Sequence, residues 1–393
     1  MKNVVIVEAK RTPIGSFGGN LSSLTAPELG AATIFEVIKS AGIQPDQVQE
    51  VVMGNVLTAG IGQAPARQAA MKAGLSDKTP STTVNKVCAS GMKAIMIAAD
   101  QISLNQNEIM VAGGMESMSN VPYYLEKQRF GAKLGHTQAT DGIIKDGLWD
   151  VYNDFHMGSA GEVCARECNI SREQQDEYAT ISYKRAIEAH EKGYFADEII
   201  KTKVKGRKGA VTEVTMDEEL ERVDFEKFSR LRPVFDKEGT ITAANASSIN
   251  DGAAAVLLMS EDKAKELGLK PIAKILSHGS VAKAPEWFTT APADAIPVAL
   301  KKAGVSKDSV DLFEINEAFS VVSLINNQIL ELNPEKVNIH GGAVSMGHPI
   351  GCSGARIIVT LLHALKRTEG TLGCAGICNG GGGASALILE MVN

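Results

Sequence analysis

The chain repeats itself in one register. Ala41-Gly42-Ile43, followed by Asp46 and Val48, returns 262 positions later as Ala303-Gly304-Val305, followed by Asp308 and Val310. Ser90-Gly91-Met92-Lys93-Ala94-Ile95 returns as Ser353-Gly354-Ala355-Arg356-Ile357-Ile358, and Val111-Ala112-Gly113-Gly114 returns as Cys374-Ala375-Gly376-Ile377, both 263 positions on. That spacing is far beyond the period of a solenoid, so it describes two homologous halves rather than an array. Within each half, apolar helical patterns alternate with short β-rich stretches and glycine turns. This predicts an α/β fold in which each half is a mixed sheet flanked by helices and the two halves stack. A length of 393 residues is also more than one hydrophobic core can serve.

Residues 119–247 have no counterpart in the repeat and carry 42 of the 86 charged residues. Such a stretch reads as an inserted, solvent-facing subdomain lying over the active site. The expected organisation is an N-terminal half of residues 1–118 plus about 248–268, a loop domain of 119–247 and a C-terminal half of 269–393. Inside the insert, Ser171 with Gln174 fits a helix N-terminus, and Gly193 suits its C-terminal stop. The basic run Lys201, Lys203, Lys205, Arg207 and Lys208 reads as a solvated hairpin edge rather than a phosphate site.

The composition, 44% apolar and 22% charged, excludes a disordered or fibrous chain. A net charge of −6 gives no global attraction to nucleic acid or to an anionic membrane, so neither is an expected partner. No apolar run approaches the roughly 18 residues of a membrane span. The first strand, Val4-Val5-Ile6-Val7, is preceded by no targeting pattern, and the expected location is the cytoplasm. Six cysteines are too few for a disulfide framework, which leaves reduced thiols with a chemical role as the better reading.

Two of those cysteines stand in chemically suggestive places. Cys88 joins an extended segment to the helical pattern Met92, Ile95, Met96, Ala99, so it is expected at a helix N-terminus, where the macrodipole lowers a thiol pKa. A buried structural cysteine is the competing reading. His348 lies in Ser345-Met346-Gly347-His348-Pro349-Ile350-Gly351, a turn expected to display the imidazole near its ordinary pKa, ready to take and return a thiol proton. Cys378 is followed by Asn379 and Gly380-Gly381-Gly382-Gly383, whose unhindered N–H groups suit an oxyanion site. The Cys-x-x-x-Cys spacings at 164/168 and 374/378 lack the companion clusters of a zinc site, and no glycine-rich run opens a dinucleotide-binding βαβ unit.

Four segments in order, Asn85-Lys86-Val87-Cys88-Ala89-Ser90-Gly91, Asn316-Glu317-Ala318-Phe319, Gly347-His348-Pro349 and Cys378-Asn379-Gly380-Gly381-Gly382, carry a resemblance along the whole chain to the thiolases, specifically their biosynthetic acetyl-CoA acetyltransferase branch. The resemblance implies a thiolase-like fold, two α/β halves stacked in five layers with an inserted loop domain. It also implies reversible Claisen condensation of two acetyl-CoA to acetoacetyl-CoA and CoA. Cys88 would be the acyl-accepting nucleophile, His348 its activator and Cys378 the base at the second acetyl-CoA. Asn316 would hold a water at the enolate oxygen, and the N–H groups of Cys88 and Gly380 would hold the acyl oxygen. A degradative thiolase of broader chain length is the same-fold alternative, and a catalytically silent acyl-CoA binding protein the alternative from another class.

By the same carry-over, His156 and Met157 stand at the CoA channel, with Leu148, Arg222, Val223, Asp224, Lys227, Ser247, Ala318 and Phe319 as further substrate or CoA contacts. No cofactor is required for the chemistry. Tyr183, Ala243, Ala244, Ala246 and Val344 resemble a carbonyl-lined potassium pocket of acetoacetyl-CoA thiolases. A homo-oligomer, dimer or tetramer, is expected, with pairing near the strand that precedes Cys88. Met346, where many relatives carry leucine, is a volume-conserving departure, and His340 places a second imidazole close in sequence to His348.

Overall fold

The computed structural model describes residues 1–206 and 209–392. The N-terminal half runs through β1 (Val4–Arg11), α1 (Ala26–Ala41), β2 (Glu50–Gly54), α2 (Pro65–Lys72), β3 (Ser81–Val84), α3 (Ser90–Ser103) and β4 (Ile109–Ser117). The charged stretch contributes α4 (Met157–Glu167) and α5 (Arg172–Glu191). Then follow β5 (Asn250–Ser260), β6 (Ala273–Ala282), α6 (Ala291–Ala303), β7 (Leu312–Ile315), α7 (Ser320–Ile329) and the single turn α8 (Ala343–Met346). Helix α9 (Ile350–Thr368), β8 (Leu372–Asn379) and β9 (Gly383–Met391) complete the chain.

These strands lie on one hydrogen-bonded path, in the order β7-β8-β9-β6-β1-β5-β4-β2-β3. Strand β1 is the seam. It pairs with β5 along most of its length but with β6 only through Val5 and Ile6. On one side of it, β2 is parallel to both β3 and β4, β5 is antiparallel to β4, and β1 is antiparallel to β5. On the other side, β7 is parallel to β8, β9 is antiparallel to β8, and β6 is antiparallel to β9. A parallel bridge from Phe313 to Val337 stands where β3 stands in the first half. The sequence repeat is therefore a repeat of topology, although the two sheets meet at an edge rather than remaining separate.

Strand alternation builds the layers, because successive side chains point to opposite faces. Val5, Val111, Leu257 and Met259 join the apolar side chains of α1 and α2 in one buried cluster. Ile6, Met110, Val256 and Leu258, their neighbours in sequence, join α3 and α9 in another. In the second half Cys374, Ala386 and Ile388 pack with α6, while Ala375, Ile377, Leu387 and Leu389 enter the α3–α9 cluster. The result is a five-layered stack: helices, sheet, the α3–α9 pair, sheet, helices.

The two central helices are the repeated Ser-Gly segments, and their first turns touch. A Cβ on Gly91 would lie 2.8 Å from the backbone N of Ala355, and one on Gly354 would lie 2.5 Å from the backbone N of Met92. Only glycine permits that approach, and it brings the N-termini of α3 and α9 together. Gly354→Ala must push the helices apart, with an expected loss of about 1–3 kcal/mol in denaturant unfolding and a larger proportional loss of activity than of stability.

Among the described residues, the named strands of 119–247 pair only among themselves: Tyr123–Tyr124 with Thr140–Asp141, Trp149–Asp150 with Phe155–His156, and Thr202–Lys205 with Val211–Val214. Helix α5 opens on the expected capping box, in which the Gln174 N–H donates to Ser171 Oγ at 3.2 Å and the Ser171 N–H to Gln174 Oε1 at 2.8 Å. Gly193, at φ 71°, follows its end. Lys203 and Lys205 lie on a hairpin strand with Lys201 just before it, whereas Arg207 and Lys208 lie outside the described residues. Among the described residues no helix is long and apolar enough to cross a membrane.

Candidate active site

Cys88 lies two residues before α3 and His348 two residues before α9, so the close crossing of these helices carries both to one place. Cys378 lies near the C-terminal end of β8 and Asn316 directly after β7, whose C-terminal ends open on the same side because the two strands are parallel. Val87, immediately before the nucleophile candidate, holds φ at 47°, a conformation costly for a β-branched residue. Gly347, immediately before His348, has φ 107°, and a Cβ there would lie 2.4 Å from Asn250. Asn250 Oδ1 accepts the His348 backbone N–H at 2.9 Å, so the imidazole is set by a strand of the other half.

The electrostatics differ from the sequence expectation in two respects. Burial pushes the Cys88 thiol up to about 11, although the backbone N–H groups of Gly380 and of Cys88 itself favour the thiolate. The buried carboxylate of Glu116 adds to the upward shift. The helix N-terminus does not lower this thiol on its own, because desolvation by Val56, Leu57, Ile350 and their neighbours is the larger effect. His348, expected to be displayed, is instead buried, and desolvation followed by the positive charge of Arg356 pulls its pKa down to about 3. The imidazole is therefore neutral at neutral pH and able to accept a proton.

Its two nitrogens have different surroundings. Nδ1 lies 2.6 Å from Ser353 Oγ, whereas Nε2 has no protein hydrogen-bond partner among the described residues. Asn316 is arranged similarly: its Oδ1 accepts from Arg356 at 3.4 Å, and its buried Nδ2 has no partner. A guanidinium can only donate, so Arg356 determines which way the Asn316 amide faces. Arg356 is itself held by Glu314 Oε1 at 2.8 Å. Cys378 is fully buried, and its thiol is raised well above the ordinary range by desolvation and by the neighbouring Cys88 sulfur. The two sulfurs are thus neighbours, the N–H groups of Gly380 and Cys88 lie at the Cys88 sulfur, and Arg356 acts on both His348 and Asn316.

The other expected residues fall into three groups. Met157, Ala318 and Phe319 share the buried apolar cluster of Cys378, while Leu148 packs with Cys88 against Val56, Leu57 and Ile350. His156 stacks on Phe235 at 4.7 Å, and its Nδ1 accepts the Gly158 N–H at 3.0 Å, leaving Nε2 as the free donor of a ring that burial holds neutral. The Ser247 hydroxyl donates to the Ala318 carbonyl at 2.8 Å, which joins that loop to the Asn316 segment. Arg222, Asp224 and Lys227 are exposed, with Lys227 and Asp224 paired to each other at 2.8 Å, and only Val223 packs inward.

Tyr183, Ala244 and Val344 meet in one cluster. The carbonyls of Ala243, Ala244 and Ala246 accept no backbone hydrogen bond among the described residues, so this donor set fits a hard monovalent cation.

His340 serves elsewhere. Its Nε2 accepts from Arg367 at 3.0 and 2.9 Å, and the ring lies against Tyr194 and Phe195. Burial, with Arg367 second, lowers its pKa to about 4. Because the unfolded histidine titrates near 6.5, the folded form binds a proton later on acidification. This stabilising contribution is complete above pH 6.5 and is lost as pH falls toward 4, amounting to about 3 kcal/mol. Denaturant midpoints of His340→Gln should depend on pH less steeply across that window, by about one proton.

Ser353, Arg356, Asn250 and Glu116 are parts of the site that motif reading missed. Glu116 accepts the N–H groups of Val56, Leu57 and Gly351 at 3.0, 3.2 and 2.9 Å and so ties the Cys88 pocket to the start of α9.

Comparison with known proteins agrees with this fold. Residues 4–262 match the family model of the thiolase N-terminal domain, and residues 269–391 that of the thiolase C-terminal domain. The chain is 56% identical to acetyl-CoA acetyltransferase 2 of Arabidopsis thaliana, over 100% of this chain and 98% of that protein. It is 55% identical to the mitochondrial acetyl-CoA acetyltransferase of Mus musculus, over 99% and 91% of the two chains. A thiolase from Ascaris suum, solved in complex with coenzyme A, superposes with a TM-score of 0.95 at 44% identity, covering 100% of both chains. The acetyl-CoA acetyltransferase of Bacillus anthracis superposes with a TM-score of 0.97 at 42% identity, over 100% of this chain and 99% of that one. With both of its halves matched by the family models and its full length matched by acetyl-CoA acetyltransferases, this chain belongs to the thiolase family.

Proposed function

We propose that the protein is an acetyl-CoA C-acetyltransferase, an acyltransferase that joins two acetyl-CoA to acetoacetyl-CoA and CoA, reversibly, through an acetyl group on Cys88. The observation that carries the reading is the presence together of a half-buried thiol, a fully buried one and a neutral imidazole whose Nε2 has no partner among the described residues. His348 Nε2 takes the Cys88 proton, the sulfur attacks the thioester carbonyl, and the CoA sulfur leaves with the proton returned by His348. The N–H groups of Cys88 and Gly380 receive the oxygen as charge develops on it. Cys378 then passes its own proton to His348 Nε2 and, as the thiolate, takes an α-proton from a second acetyl-CoA, whose enolate oxygen meets the Nε2–H of His348 and a water held by Asn316. The new carbon–carbon bond displaces Cys88, which takes the proton back from His348 and leaves as the free thiol. The forward and reverse directions use the same groups.

Met157 and Phe319 crowd the Cys378 side and Leu148 with Ile143 the Cys88 side, which favours a two-carbon acyl group over a long one. A panel of 3-ketoacyl-CoA substrates from four to sixteen carbons tests this. The reading requires kcat/KM to fall steeply beyond four carbons, and a flat profile would assign a broad degradative enzyme instead. His156 and the Ser247 loop flank the pantetheine path, and residues 119–247 act as the CoA-binding loop domain, with exposed Arg222 placed to approach phosphates and Lys227 able to do so by leaving Asp224. The protein works in the cytoplasm as a homo-oligomer paired at the exposed edge of β3, and an active monomer by light scattering at micromolar concentration would contradict that assembly.

Potassium at Tyr183, Ala243, Ala244, Ala246 and Val344 would stiffen the Ser247 loop and the turn before His348. Exchanging KCl for NaCl at constant ionic strength should raise the apparent KM for CoA substrates or lower kcat by about fivefold. Equal kinetics in the two salts would remove the ion.

A further inference from the structure

The internal repeat aligns Ser90 with Ser353, and both hydroxyls do the same job at the start of a central helix. In the first half, the Ser90 N–H and O–H both donate back to the Val87 carbonyl, the hydroxyl at 2.6 Å, and Ser90 Oγ accepts the backbone N–H of Lys86 at 2.7 Å. In the second half, the Ser353 N–H and O–H both reach the Pro349 carbonyl, each at 3.0 Å. The position of the backbone donor is taken there by His348 Nδ1, at 2.6 Å from Ser353 Oγ.

We propose that Ser353 is a positioning residue that fixes the tautomer of His348, holding the proton on Nδ1 and the lone pair on Nε2. A hydroxyl has one proton, and when it goes to the Pro349 carbonyl the oxygen can only accept from the ring. The first half shows this polarity without ambiguity, because a backbone N–H can only donate. Nε2, buried and without a partner among the described residues, is then left as the acceptor of the ring. When Nε2 takes the Cys88 proton, Nδ1–H remains bonded to Ser353 and nothing needs to rotate. The imidazolium forms where burial and Arg356 both oppose it, and Ser353 passes part of its charge on to the Pro349 carbonyl. The opposite tautomer would leave Nε2–H facing Cys88, with no lone pair to receive its proton. Motif reading had no reason to select a serine one turn into a helix, and the repeat register supplies that reason.

The inference rests on His348 acting as the base for Cys88, but its first test does not depend on turnover. Nitrogen-15 spectra of histidine-labelled protein at neutral pH, with the His348 signals assigned by their loss in His348→Asn, should show a protonated Nδ1 and an unprotonated Nε2. A neutral ring protonated at Nε2 would overturn the proposal, even if the enzyme is fully active. In Ser353→Ala the two tautomers should mix, and the rate of Cys88 acetylation should fall by about 10²-fold with little change in the KM for acetyl-CoA. A wild-type acetylation rate in that variant would also overturn it. Should Ser353→Ala fail to fold, the wild-type spectrum decides alone. Absence of any acetyl-enzyme in the wild type would instead strike at the proposed function and leave the tautomer measurement standing.

Discussion

Cys88→Ser forms no acetyl-enzyme and loses turnover by about 10⁴-fold or more, the scale seen when a catalytic nucleophile is removed. The buried site already raises the thiol to about 11, and a serine hydroxyl in the same place is far harder to ionise. His348, held near 3, is too weak a base to make up the difference. The two N–H groups at the sulfur remain, so acetyl-CoA still binds and its KM or dissociation constant changes little. Rapid-quench measurement of acetyl transfer checks this. A burst of acetylated protein in Cys88→Ser would show that the acyl group is carried elsewhere.

Cys378→Ser gives the complementary result. Acetylation of Cys88 continues within about tenfold of wild type, because Cys378 takes no part in that half-reaction, while condensation falls by about 10³-fold or more. Its thiol is fully buried and raised by the nearby Cys88 sulfur, so it is protonated until a change in the site frees it. Acetylation of Cys88 removes that neighbouring sulfur as an ionisable group, the smaller of the two causes of the upward shift, while desolvation remains, so Cys378 needs His348 to take its proton. Exchange of label between acetyl-CoA and free CoA measures the first half-reaction alone. If exchange fails in Cys378→Ser as completely as in Cys88→Ser, the two thiols do not divide the work in this way.

The duplicated halves could be read from the sequence because the repeat survives in small, specific segments, Ala-Gly-Ile/Val and Ser-Gly, that fix helix ends and a helix crossing. Cys88, His348, Cys378 and Gly380 stand out as candidates for a related reason: thiols and an imidazole among glycines have few structural uses. What escaped was environment. The helix N-terminus at Cys88 is local and visible, whereas the desolvation that outweighs it comes from Val56, Leu57 and Ile350, brought together from distant parts of the chain. The same blindness made His348 look displayed when it is packed. The seam at β1 has no local pattern at all, because pairing through Val5 and Ile6 is decided by how the two sheets meet. Arg356 resembles any helical arginine in sequence, and only the fold places it between Glu314 and Asn316.

The most direct test of the account is the intact mass of the protein after brief incubation with acetyl-CoA, followed by digestion to locate the label. The account predicts one acetyl group per chain, on the peptide containing Cys88, removed again when free CoA is added. A chain that stays unmodified while folded, or one that carries the acetyl group on Cys378 instead, would contradict it.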